Sequence, residues 1–64
     1  MTFKDLCDAR TDLRPYMLVD LNIGSHNEAL RLKDCLKKYG NKEVIDYTLI
    51  GSYARFLFLV LKED

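Results

Sequence analysis

The sequence predicts an α+β domain built as a split β-α-β-β unit, about half of a ferredoxin-like fold. Three observations carry this expectation. Apolar residues alternate with period two from Tyr16 to Ile23, and a stripe at helical spacing runs from Ala29 to Tyr39 between Gly24 and Gly40. Two further apolar segments, Glu43 to Ile50 and Tyr53 to Lys62, flank Gly51-Ser52. No repeat, linker or low-complexity tract divides the 64 residues, so the chain reads as one domain: an N-terminal lead over 1–15 and a β-α-β-β core over 16–62. A chain of this size buries only about 60% of the surface its unfolded form exposes, so its core has to be efficient.

The lead begins with a predicted short helix over residues 2–9. Thr2 is placed to cap it, Asp5 follows three residues on, and Phe3, Leu6 and Cys7 share one face. Pro15 biases Arg14 away from helical angles, so Thr11 to Pro15 is expected to be a turn or an extended stretch. In the first predicted strand Met17, Val19, Leu21 and Ile23 fall on one face, and Tyr16, Leu18, Asp20 and Asn22 on the other. Gly24 ends it. Ser25-His26-Asn27-Glu28 has the spacing of a capping box and predicts one main helix over 26–39, with Ala29, Leu32, Cys35, Leu36 and Tyr39 on its apolar stripe. Lys37 and Lys38 suit the negative end of that helix, and Gly40 stops it.

Gly51-Ser52 fits a type II′ hairpin turn, which pairs Leu49 with Ala54, Tyr47 with Phe56 and Ile45 with Phe58 on a helix-covered face. The last strand, apolar on both faces, belongs in the centre, so the expected sheet has three antiparallel strands in the order 1-3-2. Its second face then carries Tyr16, Leu18, Val44, Tyr53, Arg55, Leu57, Leu59 and Leu61. One helix cannot cover both faces, so these residues form the expected partner interface, filled by the N-terminal segment, a second copy or another protein.

Composition narrows the function classes. Hydrophobic residues at 48% and charged residues at 31% describe a folded domain rather than a disordered one. Ten basic and ten acidic residues cancel, which leaves no net field to attract a polyanion or an anionic membrane. The longest apolar run, Phe56 to Leu61, falls far short of the roughly 20 residues that span a bilayer. The opening Met-Thr-Phe-Lys-Asp-Leu places charge where a secretory signal needs an apolar stretch, so a cytoplasmic location is expected. Cys7 and Cys35 lack the spacing of a zinc or redox site and are expected to be reduced.

No high-specificity catalytic or ligand motif occurs, and no cofactor is expected. Asp20 is the candidate metal ligand, acting as one of two symmetry-related carboxylates at a dimer interface; a solvated strand carboxylate paired with Arg55 is the plainer expectation. The helix start at Gly24-Ser25-His26-Asn27 lacks the glycine spacing of a phosphate loop, and His26 has no partner placed by sequence. Tyr47, Phe56 and Phe58 are assigned to the core, which argues against base stacking. Arg31, Lys33, Lys37, Lys38 and Lys42 form a basic surface, a solvated face first and an acidic-partner or RNA-backbone site second.

The run Tyr16-Met17-Leu18-Val19-Asp20-Leu21, the helix ending Leu36-Lys37-Lys38-Tyr39-Gly40 and the hairpin that follows resemble the first half of Cas2-like ferredoxin-type proteins, over roughly residues 16–62. The resemblance implies dimerisation through the sheets, and it implies that Asp20 stands at the family's metal-site position. Two functions are expected from the residues and the resemblance together. The first is a non-enzymatic protein-interaction module, an inhibitor, adaptor or accessory subunit of the kind a phage or mobile element encodes, acting with a protein partner or as a homodimer. The alternative is a Cas2-like metal-dependent or RNA-binding dimer that uses Asp20 and the basic helix.

Overall fold

The computed structural model describes residues 1–51 and 56–63. Two helices pack on one face of a four-stranded mixed sheet: α1 (Phe3–Ala9), β1 (Leu18–Ile23), β2 (His26–Arg31), α2 (Leu32–Tyr39), β3 (Val44–Ile50) and β4 (Phe56–Leu61), with strand order β2-β1-β4-β3. The fold is two antiparallel hairpins, β1–β2 and β3–β4, laid side by side so that their inner strands β1 and β4 run parallel. α2 connects the outer strand of one hairpin to the outer strand of the other.

The predicted α+β class and the central place of the last strand hold, but the three-stranded β-α-β-β arrangement does not. Residues 26–31, expected as the first half of a helix, form β2. Gly24 takes φ +58° and Gly24-Ser25 makes a two-residue hairpin loop that pairs Ile23 with His26. The positive φ disfavours any side chain at residue 24, whereas the Glu63 carboxylate that a Cβ would meet is the far end of a flexible exposed side chain and can move aside. The expected capping box therefore never forms. α2 starts instead at Leu32, and its first N–H groups donate to the carbonyls of Met17 and Pro15, both at 2.9 Å, so main chain just before β1 does the work of a capping side chain. The extra strand reverses the chain once more, and this makes β4 parallel to β1 where antiparallel pairing was expected.

The second correction concerns the faces of β4. Ile50 pairs with Phe56 and Leu49 with Leu57, three positions along from the predicted register of Leu49 with Ala54. A shift by an odd number exchanges the two faces of a strand. Leu57, Leu59 and Leu61, expected at a partner interface, are completely buried, while Phe56 and Phe58, expected in the core, lie on the uncovered face. Val44, also expected outward, is half-buried against the core, and a bulge between Val44 and Asp46 leaves Ile45, expected inside, 63% exposed. The predicted turn at Ser52, together with Tyr53 and Arg55 of the predicted interface, lies outside the described residues.

The core is one cluster under the helices: Phe3 and Leu6 from α1, Leu32 and Cys35 from α2, Val19, Leu21 and Ile23 from β1, and Leu57, Leu59 and Leu61 from β4. α1 packs on the same face as α2, so it does not close the second face. Its docking is specified by main chain. Lys4 N–H donates to the Gly40 carbonyl and Phe3 N–H to the Lys42 carbonyl, both at 2.9 Å, and Val44 N–H donates to the Met1 carbonyl at 2.8 Å. The predicted cap forms as a full capping box: Asp5 N–H donates to the Thr2 hydroxyl at 3.1 Å and Thr2 N–H to the Asp5 carboxylate at 3.0 Å.

The hydrogen bond from the Thr2 main chain holds the Asp5 carboxyl below its ordinary pKa. A carboxylate depressed in the folded state contributes stability above its unfolded pKa, and that contribution is lost as pH falls through the folded value. Thr2→Ala is expected to cost about 1 kcal/mol in urea denaturation. Asp5→Asn is expected to flatten the loss of stability on the acid side of about pH 4, measured as the denaturation midpoint against pH. An unchanged midpoint for Thr2→Ala would mean that the capping box contributes nothing.

Candidate functional site

The uncovered face of the sheet is a grid set by the registers. Three rows cross all four strands in the order β2, β1, β4, β3: Arg31, Leu18, Phe56 and Ile50; then Ala29, Asp20, Phe58 and Thr48; then Asn27, Asn22, Val60 and Asp46. Its β4 column, Phe56-Phe58-Val60, is wholly apolar and runs down the middle. Leu18 and Ile50 widen that column at one end, with Phe56 45% and Ile50 50% exposed. With strands about 4.8 Å apart and same-face residues about 6.6 Å apart along each strand, the five apolar positions cover roughly 160 Å² of the grid, a small patch on the scale of those that single domains expose. Polar groups frame it, with Asp46 and Thr48 on one side and Arg31 at the opposite corner.

Asp20 lies on this face, as the sequence indicates, beside the apolar column. The Asn27 side-chain amide links it to its neighbours, donating to Asp20 Oδ1 at 3.0 Å, to Asn22 Oδ1 at 2.9 Å and to the Leu21 carbonyl at 3.3 Å. This arrangement fixes which way Asn27 and Asn22 point, since exchanging N and O in either amide would set like groups against each other. Asn22 Nδ2 is buried and has no hydrogen-bond partner. Asn27 was expected on a helix start; only the β1–β2 pairing, seven residues back along the chain, brings it to Asp20. Among the described residues no three His, Cys, Asp or Glu side chains converge, so Asp20 is a single carboxylate with an amide neighbour.

The remaining predicted residues disperse. Tyr16 precedes β1, is 69% exposed, and is held by Arg31, whose Nη1 donates to its carbonyl at 2.9 Å, and by Lys33, which lies 5.3 Å from its ring centre. The predicted basic surface is therefore split. Arg31 stands at a corner of the uncovered face and Lys33 beside the Tyr16 ring, whereas Lys37, Lys38 and Lys42 line a depression of about 250 Å³ with Lys4 and Asp8. Lys4 joins them only because α1 docks on the loop after α2. No local pattern places it there.

On the helix side Glu28 collects several partners. His26 Nε2 lies 2.5 Å from Oε2, Tyr39 Oη donates at 3.4 Å and Lys38 Nζ lies 3.8 Å away. The His26 hydrogen bond first, and the Lys38 charge after it, hold the Glu28 carboxyl below its ordinary range. His26 thus has a carboxylate partner that the sequence did not indicate, since it depends on both residues lying two apart on a strand rather than on a helix.

Cys7 is half-buried and Cys35 buried, and both are free thiols. Burial pushes Cys7 up to about 11 and Cys35 to about 12, which removes the thiolate that nucleophilic or metal-binding chemistry needs. Iodoacetamide near neutral pH is expected to label both far more slowly than free cysteine, Cys35 the slower of the two, with rapid labelling in denaturant. Fast labelling of Cys35 in the native protein, read by mass spectrometry, would contradict this account.

Comparison of the chain with protein-family models, curated proteins and solved structures finds no match.

Proposed function

We propose that the chain is a non-enzymatic protein-interaction module whose binding surface is the uncovered sheet face. The observation that carries this reading is the apolar column Phe56-Phe58-Val60, broadened by Leu18 and Ile50 and left outside a core that both helices have already closed. An apolar centre inside a polar frame is the layout of a protein interface, and aromatic side chains at such a centre are the usual energetic anchors. The patch is smaller than the roughly 800 Å² that each side of a standard interface contributes. The partner therefore has to reach beyond it to the rim, or to bind weakly. The upward-shifted thiols of Cys7 and Cys35 and the dispersal of the basic residues fit a binding role better than a catalytic one.

Phe56→Glu places a charge at an exposed strand position and leaves the core untouched. It is expected to keep the circular-dichroism spectrum and to abolish binding to any protein that the wild-type chain retains, as well as any self-association through this face seen by light scattering. A wild-type protein that is a monodisperse monomer, binds no apolar dye and retains the same proteins as Phe56→Glu would overturn the proposal.

A second reading is supported by the exposure of Asp20 on the same face. Two copies meeting face to face would bring their Asp20 carboxylates together, the arrangement that lets a pair of single carboxylates share a divalent cation with its waters. On this reading Asp20→Ala loses Mg²⁺-dependent binding or cleavage of RNA while keeping fold and dimer; an RNA assay in which the variant matches the wild type sinks it.

A further inference from the structure

The two edges of the sheet are finished differently. At β3 the chain covers its own edge: Val44 N–H donates to the Met1 carbonyl at 2.8 Å, Thr2 bridges Glu43, and a bulge interrupts the strand between Val44 and Asp46. Among the described residues nothing pairs with the outer side of β2. Its two-residue loop makes Ile23 and His26 a hydrogen-bonded pair, and such pairs alternate along an antiparallel ladder, so His26, Glu28 and Leu30 bond to β1. The N–H and carbonyl groups of Asn27, Ala29 and Arg31 point outward. Over the same edge, Glu28, Ala29 and Leu30 line an open depression with Asp34, Lys37 and Lys38 of α2.

Charge changes sign along this edge, and the order in which it does so identifies the occupant. α2 lies over β1 and β2 and runs back along β2, since Lys38 and Tyr39 reach Glu28. At about 1.5 Å per helical residue and about 3.3 Å per strand residue, Asp34 stands about 4.5 Å beyond the level of Arg31, Ala29 about 6.6 Å and Lys37 about 9 Å. Asp34 and Lys37 therefore lie about 2 Å to either side of Ala29. A two-fold axis through Ala29 sets Asp34 of one copy level with Lys37 of the other, with Lys38 one residue further on. Glu28 offsets one of these lysines, being held by Lys38 and His26 of its own copy, so Asp34 faces a surplus of one positive charge. Neighbouring registers lack the match. An axis through Glu28 sets both lysines against the same lysines, and an axis through Leu30 sets Asp34 against Asp34.

We infer that two copies of this chain join through β2, antiparallel about Ala29, and merge their four-stranded sheets into one of eight strands. Every outward N–H and carbonyl of Asn27, Ala29 and Arg31 then gains a partner, with Ala29 opposite Ala29 and Asn27 opposite Arg31. Because α2 lies over β1 and β2, each helix axis stands about 5 Å from the two-fold, and the two α2 helices lie about 10 Å apart, the ordinary separation of packed helices. The merged sheet carries both Phe56-Phe58-Val60 columns on one side, about 24 Å apart at five strand spacings. The edge is separate from that apolar face and stands or falls apart from it.

The test is a dilution series of the full chain followed by nuclear magnetic resonance and by sedimentation. With rising concentration the mass is expected to move from monomer to dimer while the amides of Asn27, Ala29 and Arg31 shift and exchange more slowly. Asp34→Lys is expected to weaken the dimer at least about tenfold, since two weak attractions become repulsions. Lys37→Glu combined with Lys38→Glu should weaken it likewise. An equal mixture of these two variants should regain the wild-type association, because only the mixed pair sets opposite charges across the axis. Ala29→Pro removes an outward N–H that β1 does not use, a substitution tolerated on edge strands, and should abolish the dimer while the amide spectrum stays dispersed. Should a variant fail to fold, the amide response of the wild type decides. The inference is overturned by a mass that stays monomeric throughout, by a dimer in which those three amides do not respond, or by charge variants that associate as well alone as mixed. Phe56→Glu is expected to leave this dimer intact, so failure here and failure of the apolar-face proposal are told apart.

Discussion

The structure depends on the parallel seam between β1 and β4. Val19 faces Leu57, Leu21 faces Leu59 and Ile23 faces Leu61 across it, and none of the six is more than 8% exposed. Burying a side chain of this kind is worth about 1.5–3 kcal/mol, and in a domain of this size few other contacts contribute on that scale. The seam joins two hairpins that are each marginal alone. It also requires the connection between them to cross from one outer strand to the other, which is why α2 lies over the sheet and why Leu32 and Cys35 are available to cover it. α1 then adds Phe3 and Leu6 to the same cluster, tied down by main-chain bonds to the loop after α2.

Both helices are committed to one side by this arrangement, and the functional readings follow from what they leave bare. Alternation along β4 puts leucines under the helices and Phe56, Phe58 and Val60 on the other side. A central strand buried on one face and apolar on both creates an uncovered apolar column by necessity. The polar network of Asp20, Asn22 and Asn27 sits next to that column, so the face combines an anchor surface with directional hydrogen-bonding groups. The helix side is different in kind, with lysines from three segments around a shallow depression that the half-buried Tyr39 also lines. The apolar column and the lysine cluster thus lie on opposite sides of one thin sheet.

Only a small part of the uncovered face was legible in the residues, and the errors have identifiable causes. Asp20 and Leu18 fall on the uncovered face because period-two alternation from Met17 to Ile23 is unambiguous. Leu57, Leu59 and Leu61 exchanged places with Phe56 and Phe58 because β4 is apolar on both faces, so its parity carries no signal and the assignment rested on an assumed two-residue turn. Residues 26–31 read as helix because Ser25 and Glu28 have capping spacing and Ala29 continues the stripe of α2. The competing signal, a glycine opening a two-residue loop after an alternating strand, is the one that predicts a turn at Gly51, and the chain uses it at Gly24.

The sequence by itself determined the α+β class, the capped N-terminal helix, the end of α2 at Tyr39, the alternation of β1 and the central position of the last strand. Each of these depends on residues within a few positions of one another: a cap, a stop, a period. Only the tertiary structure decided that 26–31 is a strand, that β1 and β4 run parallel, which face of β4 is buried, and that α1 shares the side of α2. Those outcomes depend on pairing between segments far apart in the chain. There the free energy comes from burying Leu57, Leu59 and Leu61 against Val19, Leu21 and Ile23, and local propensity yields to whichever register buries the most apolar surface.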